Sequence, residues 1–142
     1  MSQENVEIVR KCFEAFRRSD FEALFAHISP DIEVHPNPRE PDAERRYEGR
    51  DGMLDYLDNW LSGWEKYTVE PRRFIEAGEF VVVEAQEVGI AEQTGIRVQQ
   101  DYSHAMKIRD RQIVEWRMFG AVEEALEAAG LSEETVERAR EG

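Results

Sequence analysis

At 142 residues with a net charge of −13, the chain is sized for one domain, able to bury roughly two-thirds of its unfolded surface. The acidity argues against nucleic acid or an anionic membrane as a partner, since both require a basic footprint. The single cysteine, Cys12, excludes an internal disulfide and a cysteine-rich metal site, as expected of a cytoplasmic protein.

The polar stretch after Met1 predicts no signal peptide, and no apolar run approaches the roughly 20 residues of a membrane helix. Ser2 is placed to cap a first helix reaching Arg18, along which Val6, Val9, Phe13 and Phe16 form one apolar stripe, widened by Ile8, Cys12 and Ala15. Asp20 caps a short second helix carrying Phe21, Leu24, Phe25 and Ile28, and Pro30 ends it. Asp31 to His35 alternates as a short strand, with Ile32 and Val34 on one face and Glu33 and His35 on the other. Pro36 to Glu48 is predicted as loop, because Pro36, Pro38, Pro41 and a charge run oppose any packed element. Gly49-Arg50-Asp51-Gly52 opens a third helix with Asp51 as its cap. Its stripe is Leu54, Leu57, Leu61 and Trp64, flanked by Tyr56 and Trp60.

From Tyr67 the hydrophobic period becomes two. Tyr67–Ile75 reads as a strand interrupted near Pro71, which suits an edge or a bulge. After a turn at Ala77-Gly78 come a Val-rich strand, Phe80–Ile90, and a turn at Glu92–Gly95. Val98–Ile108 and Gln112–Phe119 then form a hairpin. A three-residue loop at Arg109-Asp110-Arg111 sets Ile108 against Gln112, His104 against Trp116 and Tyr102 against Met118. One face then holds Tyr102, His104, Met106, Ile108, Val114, Trp116 and Met118. A two-residue loop would instead oppose His104 to Arg117. The other face holds Ala105, Ile113 and Phe119, whose exposure on a curved sheet predicts a homodimer through that face.

Val122, Ala125, Leu126 and Ala129 make a short amphipathic helix with Gly130 at its C′ position. Residues 131–142 are expected to form an acidic helical tail beyond a single domain at 1–130. Helices and strands are segregated along the chain, so the class is α+β. A curved antiparallel sheet wrapped around the N-terminal helices encloses a cone-shaped cavity, the kind of concave place ligands favour.

Four stretches carry a family likeness: Val-x-x-Cys-Phe-x-Ala-Phe-x-x-x-Asp-Phe-x-x-Leu from Val9 to Leu24; Pro30-Asp31-Ile32-Glu33-Val34-His35; Tyr47-x-Gly49-Arg50-Asp51-Gly52; and Lys107 to Val114. Together they resemble the nuclear-transport-factor-2-like (NTF2-like) superfamily, most closely its SnoaL-like branch, over nearly the whole chain. The resemblance implies a cystatin-like roll and leaves the reaction open, because this fold hosts isomerases, cyclases, epoxide hydrolases, dehydratases and non-catalytic binding proteins. The Asp base of the related steroid isomerases matches His35 here. Their oxyanion-hole Tyr matches Cys12, and their oxyanion-hole Asp matches His104. The acid–base Asp of the SnoaL-like cyclases matches Met118, and their His matches His104. Limonene-epoxide-type hydrolases need Arg and Asp two apart on a strand, a spacing that no strand here offers.

His104 and His35 are therefore the candidate acid–base residues. The alternatives are a packed His104 bonded to a neighbour such as Tyr102, and a solvated His35 that Glu33 could orient. Trp116, Met118, Tyr102, Met106, Trp60 and Tyr56 are candidates to line a site for a small apolar molecule, with core filling as the alternative. His27, His35 and His104 show no metal-ligand spacing, and no cofactor is expected. The function expected is a small-molecule-binding protein with an apolar cavity and no assigned reaction. The alternatives are a histidine-dependent isomerase, cyclase or hydrolase, and a dimeric scaffold whose cavity is filled. Cavity volume and a carboxylate beside His104 are the features that separate them.

Overall fold

The apolar stripe read from Val6 to Phe16 lies on a helix that packs into a strongly bent sheet. A computed structural model describes residues 2–38 and 46–130. The helices are α1 (Ser2–Arg17), α2 (Phe21–Phe25), α3 (Gly49–Leu61) and α4 (Val122–Ala128). The strands are β1 (Ile28–His35), β2 (Tyr47–Glu48), β3 (Trp64–Ala77), β4 (Phe80–Ala91), β5 (Arg97–Asp101), β6 (Ser103–Arg109) and β7 (Gln112–Phe119). The expected tail at 131–142 and the loop segment 39–45 lie outside the described residues. Among the described residues, no helix is long and apolar enough to cross a membrane.

The sheet order is β2-β1-β7-β6-β4-β3, with β5 also on β4. It is not wholly antiparallel, because β1 joins β7 in parallel, Val34 beside Trp116. Tyr47-Glu48, expected as loop, pairs with β1 as a two-residue strand. The sheet bends where the long strand expected at Val98–Ile108 divides. β5 and β6 take successive stretches of the same β4 edge, and Tyr102 stands between them, its N–H donating to Ala85 O at 2.8 Å. The edge position and the bulge expected near Pro71 are both present in β3.

Two boundaries move. Asp20 does cap α2, accepting from Ala23 N–H at 3.1 Å, but that helix stops at Phe25 and Pro30 falls inside β1. Residue 48, not Asp51, is the N-cap of α3, whose buried side is Met53, Tyr56 and Leu57, leaving Leu54 43% exposed. The helix is thus rotated by about one position from the leucine stripe, because Tyr56 and Trp60 compete for the same core and carry more apolar surface. Trp64 leaves the helix and opens β3, where its ring lies over Gly89. A Cβ on Gly89 would stand 2.5 Å from Trp64 Cε3 and 2.8 Å from the Lys66 carbonyl oxygen. The carbonyl cannot rotate away, so Gly89→Ala should cost ~1–3 kcal/mol of stability, the usual penalty for overpacking. Urea denaturation of the two proteins checks this.

The central hairpin turns through two residues, not three. Asp110 and Arg111 have φ of 50° and 64°, the backbone of a primed turn, and Arg111 Nε meets Glu4 Oε1 of α1 at 2.6 Å. An extra residue in β7, Val114, then shifts the ladder, so that Ile108 faces Ile113 but Met106 faces Trp116 and His104 faces Met118. The result lies two residues from the register read in the sequence, so the faces of His104, Trp116 and Met118 are unchanged. Ile113 does change: it turns inward, fully buried against Ile28. The outer patch offered as a dimer face is also occupied. Ala105 and Val82 are buried under Val122, Ala125 and Leu126 of α4, with Phe119 packed alongside. Dimerisation therefore loses the exposed surface that motivated it.

Candidate functional site

The inner side of the bent sheet and helices α1 and α3 enclose an apolar cavity of about 40 Å3. α1 contributes Phe13 and Phe16, and α3 contributes Met53, Tyr56 and Trp60. Val34, Tyr67, Tyr102, His104, Trp116 and Met118 close it from the sheet. Of the residues singled out in the sequence, His104, Trp116, Met118, Tyr102, Trp60 and Tyr56 meet here. Met106 does not, being fully buried in the core without lining the cavity.

His35 is not here either. Val34 faces the cavity, so its strand neighbour points to the outer face. There His35 Nε2 is 3.5 Å from Glu33 Oε1 and 3.8 Å from Glu115 Oε1. Its pKa is lowered by desolvation and by the Arg117 charge, against the pull of Glu115 and Glu33. An imidazole on that face cannot reach a molecule in the cavity.

His104 is 2% exposed, with Phe13, Tyr102 and Trp116 edge-on around it. The indole Nε1–H of Trp116 donates to its Nδ1 at 2.9 Å. Indole nitrogen only donates, so Nδ1 is the acceptor and the ring proton resides on Nε2. Among the described residues that Nε2 is buried without a hydrogen-bond partner. Burial lowers the His104 pKa to about 3. Charging the ring would need a proton on Nδ1, directly against the indole N–H. Desolvation and geometry thus agree in keeping the ring neutral, with Nε2–H as its donor.

The second polar feature is a cluster of two phenols and a thioether. Tyr56 and Tyr102 share a hydrogen bond of 3.0 Å between their hydroxyls, and both lie against Met118 Sδ, at 3.1 and 3.0 Å. The sulfur is a weak acceptor and transfers no proton. The position that matches the cyclase carboxylate by resemblance therefore has no acid–base capacity here.

Sequence reading missed one carboxylate. Glu87 is 2% exposed, and accepts from the Tyr67 hydroxyl at 2.9 Å and from the Gln100 amide. Desolvation raises its pKa against those two hydrogen bonds, and burial with the Glu87 charge pushes the Tyr67 phenol well above its usual range. The signal was legible: Val81, Val83, Ala85 and Glu87 share one strand face, and a charge in that series asks for a partner. Glu87 is absent from the cavity lining, which Tyr67 alone reaches. Cys12 is fully buried, its thiol pushed up to about 12, so it packs and does not react. Among the described residues no group of His, Cys, Asp and Glu could hold a metal ion.

Three solved structures share this architecture. An NTF2-like protein of unknown function from Burkholderia pseudomallei is 22% identical, TM-score 0.73, over 87% of this chain and 95% of that one. TerC, crystallised with polyporic acid, is 21% identical, TM-score 0.73, over 89% and 98%. A protein of unknown function with a cystatin-like fold from Xanthomonas campestris is 21% identical, TM-score 0.74, over 90% and 98%. At these identities the likeness speaks for the fold alone. No curated protein matches the chain. The SnoaL-like domain model matches residues 9–116, from the apolar stripe of α1 to the indole that holds His104. The bent sheet, the helices it encloses and that match together place the chain in the SnoaL-like family of the NTF2-like superfamily.

Proposed function

We propose that the protein binds a small, flat, apolar molecule bearing a hydrogen-bond acceptor, and that His104 does not act on it as an acid–base catalyst. One observation carries this reading: His104 Nε2–H, in the wall of an apolar cavity, is buried with no partner among the described residues. A buried donor left unpaired costs about 1–3 kcal/mol, and a ligand carbonyl or phenolic oxygen would remove that cost. The aromatic walls suit a flat body.

The volume sets a condition. Ligand sites usually span roughly 300–1,000 Å3, far above the 40 Å3 enclosed here. Binding therefore requires Met53 and Met118, the adaptable side chains of the wall, to repack. The same small volume favours a second reading, a scaffold whose cavity stays filled. Fluorescence titration of wild type with flat phenols and quinones, polyporic acid among them, separates the two. Saturable quenching, reduced in Trp116→Phe to the part that Trp60 of the same wall contributes, is the expected result. No saturable binding by any of them would establish the filled scaffold. Turnover of a cyclase, enol-isomerase or epoxide substrate that His104→Asn abolishes, with the fold intact, would overturn both readings in favour of an enzyme.

A further inference from the structure

A second hollow lies outside the cavity, between α1 and the edge strand β3. Its volume is about 540 Å3, against 40 Å3 inside, and so within the usual range of ligand sites. Phe13, Val69 and Phe74 belong to its floor, and Arg10, Arg17, Arg72 and Arg73 stand around it. Four arginines on one groove stand out in a chain of net charge −13. Arg10 and Arg17 are two helical turns apart and share a face of α1. Arg72 and Arg73 sit at the β3 bulge, where the extra residue re-aims neighbouring side chains.

These arginines are only partly engaged. Arg10 with Glu7 is an exposed pair within α1, a class worth little. Arg17 holds Glu14, an acid that also lines the groove, through both Nε and Nη2, and that pair too is exposed. Arg72 donates to the neutral Gln86 amide oxygen at 2.6 Å. Arg73 Nε lies 3.5 Å from Glu84 Oε1, yet Nε and Nη2 are buried without a hydrogen-bond partner among the described residues. Glu84 compensates the charge, and what the two nitrogens still lack is a hydrogen-bond acceptor. The Arg10 guanidinium stands 4.5 Å over the Phe74 ring, which fixes it above the floor.

Phe13 and Val69 line the groove and the inner cavity alike, and are 5% and 7% exposed. They form the partition between the two spaces. We propose that the groove takes an amphipathic organic anion, its carboxylate or sulfonate on the arginine rim and its apolar body over Phe13 and Val69, at the way into the cavity. The proposal rests on the cavity-binding reading for where that body ends up, and adds to it the charge of the ligand and its route.

The probes are anilinonaphthalene sulfonate and its uncharged analogue phenylnaphthylamine, titrated into wild type and into an Arg10→Gln/Arg17→Gln double variant. Both side chains are more than half exposed, 55% and 59%, so the fold should persist, and a circular-dichroism melt verifies it. Wild type should bind the sulfonate more tightly than the uncharged dye. The double variant should lose about tenfold or more in sulfonate affinity, the scale of a lost charge-assisted hydrogen bond, and keep its affinity for the uncharged dye. Equal wild-type affinity for the two dyes, or sulfonate binding untouched in the variant, would overturn the groove while leaving the cavity reading in place. Loss of both dyes by a folded variant would overturn it as well. Failure of the sulfonate to bind wild type would overturn the groove, while the cavity reading stands or falls on the phenol and quinone titration.

Discussion

Between about pH 6 and pH 4, wild type should lose up to about 1.4 kcal/mol of stability per pH unit through His104 alone. The sign follows from the depressed pKa. Above the unfolded value near 6.5 the ring is neutral in both states and folding is unaffected. Below it the unfolded chain takes up a proton that the folded chain, with His104 held to about 3, refuses. The unfolded state then binds more protons, and stability falls with pH until the folded pKa is reached. Two causes keep the ring neutral: full desolvation, and the Trp116 N–H that occupies Nδ1. His104→Asn supplies an acceptor oxygen near the Nδ1 position and does not titrate. The stability of wild type minus that of His104→Asn, from urea denaturation at closely spaced pH, should therefore isolate this slope from the chain's many carboxylates. A difference that stays flat from pH 7 to pH 4 would show that His104 protonates freely in the folded state, and would reopen its use as a base.

The second large effect is at Trp116. Its ring is 6% exposed, stands 6.0 Å from Phe13, and faces Met106 across the ladder and Val34 on the parallel neighbour. Trp116→Ala should cost ~3–5 kcal/mol, the range for deleting a large buried aromatic. Trp116→Phe keeps most of the packing but removes the indole N–H. It leaves His104 Nδ1 buried and unpaired, which should cost about 1–3 kcal/mol. The ordering of the two variants in chemical denaturation is diagnostic. An unchanged midpoint for Trp116→Ala would place the indole at the surface and invalidate the cavity wall. Equal losses in both variants would make the hydrogen bond, not the packing, the dominant contribution.

Local pattern alone determined a good deal of this protein. The apolar spacing from Val6 to Phe16, the Asp20 cap, the two-residue period after Tyr67, the β3 bulge near Pro71 and the glycine after α4 are all where short-range chemistry puts them. Side chains on a strand alternate faces, so His104, Trp116 and Met118 were legible as one inward group even though the register was misread. That misreading was two residues, an even number, and parity survived it.

What the tertiary structure decided depends on partners distant in the chain. The Val114 bulge turned Ile113 inward against Ile28, 85 positions away. α4 covered Ala105, and so removed the surface that had pointed to a dimer. α3 rotated to bury Tyr56 because the sheet presented Tyr102 and Met118 to it. The hydrogen-bonding state of His104 was set in the same way. Imidazole can donate, accept or charge, and no neighbour in sequence selects among these. Trp116, brought opposite Met106 on the next strand, placed its N–H on Nδ1, and the surrounding rings excluded water. Periodicity reports which way a side chain points. Only the packed structure determines what it meets there, because desolvation and hydrogen-bond partners come from the other elements.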